Sequence, residues 1–219
     1  LVGGDGTVED FTLSYIKNNM PEPSANQDRY VTTSASGGGN GLSEGTSWTL
    51  AEAFSNADGG MTVWIKAGNY GNHNLNLTND GTSTSPIKFI GYKTVEGDIS
   101  TNYYTYGDGA LDANEMPLLY GSSNTGHAIL MVSKDYVIIR NLQVENSYSS
   151  GFYNNNGSNV IFDNLIAKDI DGISFATAIR HAGTATNCRI IDSYAENGTG
   201  GNFSLNGNYH LQENLRSYS

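Results

Sequence analysis

The sequence predicts an all-β chain wound into a parallel β-helix, a β-solenoid, with a capping helix near the N-terminal end of the coil. Three observations carry that prediction. The 219 residues include 27 Gly and only 4 Pro and are dense in Asn, Ser and Thr, a composition of many short strands and turns. From Tyr30 onward, strand-like runs follow one another with a single helical interruption. Three segments also repeat one texture without repeating a sequence: "YVIIRNLQVEN" (136–146), "NVIFDNLIAKD" (159–169) and "TNCRIIDSYAEN" (186–197).

Taken in order, residues 1–28 read as an extension or cap segment. Within it "VEDFTLSYIKNNM" has Phe11, Tyr15 and Ile16 at helical spacing before Pro21 stops it. The β-helix domain is 29–219, and its last residues lie inside a strand pattern, as in a chain that continues or is truncated there. It opens with a strand, Tyr30–Thr33, then a Gly-rich loop, then a helix over Leu50–Asn56 with Ser47 or Thr49 as N-cap, then a strand over Met61–Ala67. The triple glycine 37–39 lacks the order and the terminal Lys of a phosphate-binding loop. "NLNLTN", "SPIKFIGYK", "MPLLYGS" and "AILMVS" are further strands, with Val63 to Ile87 as an earlier rung step and Thr94–Asn114 as an excursion loop.

Aligning Asn141 with Asn164 and Asp192 gives steps of 23 and 28 residues and sorts the flanking positions into columns. Val137, Val160 and Cys188 form one; Ile139, Phe162 and Ile190 a second; Leu142, Leu165 and Ser193 a third; Val144, Ala167 and Ala195 a fourth. Apolar or small residues thus recur around a bend made by Asn or Asp, which tolerate left-handed backbone angles and bond locally. Asn146, Asp169 and Asn197 close each unit. Glu145, Lys168 and Glu196 form an outward minus-plus-minus ladder worth a few tenths of a kcal/mol per pair. Arg140 and Gln143 also face out. "NYHLQENLRSYS" continues the series through Tyr209, Leu211, Leu215 and Ser217, if its bend gains one residue. Steps of this length suit stacked rungs, each burying its inner face against its neighbours.

The order "YVTTSASGGGNGLSEGTSWTLAEAFSNA…TVWIKAGNY", then "SPIKFIGY" and Asn-punctuated rungs, resembles the entry of right-handed parallel β-helix proteins of the pectate-lyase-like superfamily. The resemblance spans about Tyr30 to Ser219. It implies a helix that caps the coil's open end and a group that includes polysaccharide lyases, glycosidases, adhesins and phage tailspikes. A tailspike-like chain implies a homotrimer.

A formal charge of −11 repels phosphate backbones, so nucleic acid is excluded as a partner, and no apolar run of about 18 residues predicts membrane insertion. The one cysteine, Cys188, excludes an internal disulfide framework and is expected in the core.

Two groups of residues are candidates for chemistry. Lys168 or Arg180 as the base, His181 as a proton shuttle, and Asp169 with Asp171 as calcium ligands would serve a lyase; calcium is the one cofactor implied. The repeat itself offers a scaffold role for Asp169 and Lys168, and Asp171-Gly172 reads as a turn pair. Tyr103, Tyr104 and Tyr106 in the excursion loop, and Tyr148, Phe152 and Tyr153 in "NSYSSGFYNNNGSN", suit sugar binding by stacking beside Asn and Ser. His73, His127 and His210 show no ligand spacing and read as surface or turn residues. The reading is an extracellular, cell-surface or virion module that binds a glycan, tailspike- or adhesin-like. The alternative is a secreted polysaccharide lyase or glycoside hydrolase.

Overall fold

The computed structural model describes residues 28–99, 111–121, 126–170, 177–206 and 210–218. The segment 1–27, with its expected helix, lies outside them. Among the described residues the strands are β1 (Asp28–Val31), β2 (Thr62–Lys66), β3 (Asn69–His73), β4 (Leu75–Asn76), β5 (Ile87–Tyr92), β6 (Leu118–Gly121), β7 (Ile129–Val132), β8 (Val137–Glu145), β9 (Ser150–Asn155), β10 (Ile161–Ile170), β11 (Thr177–Ala182), β12 (Arg189–Ile191), β13 (Tyr194–Gly198), β14 (Gly201–Leu205), β15 (Leu211–Glu213) and β16 (Arg216–Tyr218). Every ladder between them is parallel, and apart from β1 and β2 no two consecutive strands are neighbours in a sheet. The chain therefore winds as a parallel β-solenoid.

Three faces result. The first stacks β1-β2-β5-β8-β10-β12-β15, and the third stacks β4-β7-β9-β11-β14. The second stacks β3-β6, the C-terminal halves of β8 and β10, then β13-β16. All twelve residues of the four predicted columns sit in register; eleven are fully buried and Ser193 is nearly so. They are the heart of one continuous core.

The corner between the first two faces is made as the Asn/Asp column requires. Asn141, Asn164 and Asp192 have φ of 58°, 50° and 46°. Asn164 Nδ2 donates to Asn141 Oδ1 at 2.8 Å, Asn141 Nδ2 to Gly91 O at 3.1 Å, and Asn214 Nδ2 to Asp192 Oδ1 at 2.8 Å. Asn141 and Asn164 thus each satisfy a buried group of the neighbouring turn, contributing about 1 kcal/mol per bond, while the Asn214 bond is exposed. The second corner is set by Asn146, Asp169 and Asn197 at φ 55°, 54° and 54°.

The helix α1 (Leu50–Asn56) is capped by Thr49 in a capping box with Glu52. It buries Leu50, Ala53 and Phe54, and Phe54 stacks on Phe89 at 4.3 Å. Thr78 donates its N–H to Phe54 O and Asn79 its amide to Ala57 O, so α1 lies along β4, the end strand of the third face. An edge that would invite further pairing is thereby covered.

Three local expectations are corrected. Val63 pairs with Phe89 rather than Ile87, because the connection between β2 and β5 holds two more residues than the predicted step. The final unit needs no inserted residue: Gln212 and Glu213 pair with Ile190 and Ile191, which puts His210 opposite Cys188 in an inward column. Tyr209 was expected there, since an apolar pattern favours Tyr and Leu over His and Gln. Gln143 does point outward, yet it is fully buried. It donates to Asp112 O and Met116 O and accepts from Asp112 N, pinning the base of the excursion loop to the second face. Ile99, Met116, Ile166 and Tyr194 pack there as a second, external apolar cluster.

Candidate functional site

Alternation along the third face sends Phe152, Asn154, Ile179 and His181 into the coil and Tyr153 and Arg180 out of it. Tyr153 and Arg180 are directly opposite each other, flanked by Leu130 on one side and Ser204 on the other. The Arg180 guanidinium carbon lies 5.3 Å from the centre of the Tyr153 ring. His127, just before β7, lies against the same ring, centroids 4.3 Å apart and tilted by 40°. Three rungs thus bring a cation, an aromatic face and an imidazole to one half-buried patch.

Arg180 differs there from five other cations of the chain. Lys66, Lys93, Lys134, Arg140 and Lys168 each face a carboxylate. Arg180 has no carboxylate within ion-pair distance among the described residues; its Nε is buried without a hydrogen-bond partner. Burial, and then the positive charge of Arg180, push the His127 imidazole down to about 4, so it is neutral at pH 7. Its Nδ1 is likewise buried without a partner. A guanidinium stacked on an aromatic ring, with no acid of its own, is equipped to take an incoming carboxylate.

The other predicted residues fall elsewhere. Phe152 and His181 are fully buried inside the coil, which removes Phe152 as a surface platform and His181 as a proton shuttle in contact with a ligand. His181 stacks on Phe162 at 4.5 Å, with Nδ1 against the Asn154 amide and Nε2 against Arg189 O. Burial pushes it down to about 3. Cys188, beside them, is a core thiol pushed up to about 11 by burial. Lys168 lies on the second face, opposite Glu145 and Glu196 and 3.7 Å from Glu196. Asp169 forms a corner, its Oδ1 accepting from Asn197 Nδ2 at 2.7 Å. Lys168 and Asp169 thus lie on the second face and its corner, away from Arg180 on the third. Tyr148 sits in the turn leading to β9, whose Ser149 N–H bonds to Gly126 O beside His127. Asp171, Tyr103, Tyr104 and Tyr106 lie outside the described residues.

As for a metal, no three His, Cys, Asp or Glu side chains converge among the described residues. The Gly-rich loop lines a polar cavity of about 510 Å³. Its Gly38 N–H donates to Glu52 Oε1 at 2.6 Å, an arrangement that seats a carboxylate of the chain itself.

His127 is the residue that sequence reasoning passed over. Its one signal was position, directly before the "AILMVS" strand, and that carries meaning only once the strand is known to neighbour "SGFYNN".

No protein-family model matches the chain, and no curated protein matches it in sequence. Solved structures share its fold, among them the following three. An alginate lyase from Paenibacillus sp. str. FPU-7 superimposes with a TM-score of 0.63 at 14% identity, over 88% of this chain and 58% of that one. The pectate lyase Pel9A gives 0.58 at 14% identity, over 87% and 54%. A GH136 lacto-N-biosidase from Eubacterium ramulus gives 0.54 at 14% identity, over 93% and 42%. The chain spans about half the length of these proteins. At such identity the likeness is one of fold.

Proposed function

We propose that this β-solenoid binds an acidic polysaccharide on the outer surface of its third face. Arg180 pairs with a sugar carboxylate while the sugar ring lies against Tyr153. The observation that carries the reading is the Arg180 guanidinium, stacked on Tyr153 and without an acidic partner among the described residues, in a chain of net charge −11. The polysaccharide-acting proteins that share the fold support it. In this reading the chain works outside the cell or on a virion, as an adhesin- or tailspike-like module.

Titration calorimetry with a uronate polymer and with a neutral glucan tests it. The uronate binds and the glucan does not, and Arg180→Ala weakens uronate binding about tenfold or more, the loss of one charge-assisted contact. Equal affinity of wild type and Arg180→Ala, or no uronate binding, overturns the proposal.

One observation favours a second reading, cleavage of the same polymer by elimination. His127 is neutral at pH 7 and beside the cation that would neutralise the uronate carboxylate, as a general base must be. Ultraviolet absorbance of an unsaturated product, absent in His127→Ala, would establish it.

A further inference from the structure

His127, Tyr153 and Arg180 form one unit in which the imidazole and the guanidinium touch the same ring. The strands packed around His127 present Asn76 on β4, Tyr153 on β9 and Arg180 on β11. Among these side chains Arg180 carries the only charge, and Tyr153 is the only other titratable group. We propose, resting on the acidic-polysaccharide reading, that ligand binding at this site is coupled to uptake of a proton by His127, so that capture tightens as the medium becomes acidic.

The physical chain is short. Without ligand, two things hold His127 neutral: partial burial and the Arg180 charge. A carboxylate arriving on Arg180 cancels that charge and adds an attraction of opposite sign. The buried Nδ1 has no hydrogen-bond partner, so one N–H of an imidazolium would go unsatisfied there, a further cost that keeps the ring neutral until a ligand carboxylate offsets it. What the ligand does to the proton, the proton must do to the ligand, because the coupling between the two is reciprocal. If the carboxylate raises the imidazole by about two pH units, from about 4 to about 6, affinity rises roughly tenfold between pH 7 and pH 5. Ordinary carboxylates remain mostly ionised over that interval, so the ligand is the same species at both ends.

The experiment is calorimetry of the whole chain with a uronate oligosaccharide at pH 7 and pH 5. Each titration is repeated in two buffers of different ionisation enthalpy at fixed ionic strength. Wild type is expected to bind about tenfold more tightly at pH 5 and to take up a fraction of a proton per ligand. In His127→Gln the ratio of the two affinities falls to about one, whatever its absolute affinity. Binding that is flat between the two pH values, or a ratio unchanged in His127→Gln, overturns the coupling while leaving the binding reading intact. Absence of binding at both pH values overturns both.

Discussion

The corner between the first and second faces and the outer surface of the third face are built from the same rungs, yet they follow different rules. At the corner Gly91, Asn141, Asn164, Asp192 and Asn214 stack one per turn. Their positions are fixed by geometry, because the four polar ones stand at left-handed φ and no Cβ fits at Gly91. On the third face Asn76, Leu130, Tyr153, Arg180 and Ser204 also stack one per turn, but they share no chemistry, and Arg180 meets no acid among the described residues. Stacking constrains what points inward and what turns the corner; it leaves outward positions free to be spent on recognition. The corner is scaffold, and the third face is the surface on which we propose that a ligand is read.

That contrast can be broken most severely at Gly91. A Cβ there would stand 1.9 Å from Asn141 O, a backbone atom that cannot move without the next rung. Gly91→Ala is expected to cost about 3 kcal/mol or more, read as a fall in the urea midpoint. Asn164→Ala loses the bond to Asn141 and keeps a Cβ at φ 50°, for a cost of about 2 kcal/mol. That corresponds to a melting temperature lower by roughly 4–8 °C in a chain of this size.

Acid sharpens the comparison from inside the third face. His181 is held at about 3 and His127 at about 4, both below the ordinary value of 6.5. The unfolded chain therefore takes up protons first. Stability is full above pH 6.5 and falls as the pH drops toward 4, by up to a few kcal/mol for the buried ring. Thermal melts at pH 7 and pH 4 should show the fall, and His181→Phe, which keeps a ring stacked on Phe162, should show a smaller one. An equally steep fall in that variant would point to other groups. The smallest effect belongs to the Glu145–Lys168–Glu196 ladder, where side chains are partly exposed: Lys168→Ala should change stability by less than about 1 kcal/mol.

How much could be read beforehand follows from the same contrast. Asn141, Asn164 and Asp192 were legible because only a few residue types accept a left-handed corner, and the twelve inward residues because a rung has nowhere else to put them. Thr49 was legible as one of two candidate caps, and the box it forms with Glu52 decides between them. Phe152 and Tyr153 could not be told apart, since adjacent strand residues point to opposite sides and the parity is set by pairing with β7 and β11. Gln143 faces outward as expected, but its burial depends on a loop that returns from 31 residues away. The last rung misled because His210 and Gln212 occupy columns that are elsewhere apolar. Likewise His127 and Arg180 are 53 residues apart and meet only through Tyr153, a relation that no local pattern carries.

The most direct test of the division between scaffold and reading surface is uronate affinity measured alongside melting temperature in two variants, Asn164→Ala and Arg180→Ala. The expected result is a double separation. Asn164→Ala melts several degrees lower and binds normally below its melting point, whereas Arg180→Ala melts within about 2 °C of wild type, a change under 1 kcal/mol, and loses tenfold or more in affinity. Arg180→Ala that melts as low as Asn164→Ala while binding as tightly as wild type would contradict it.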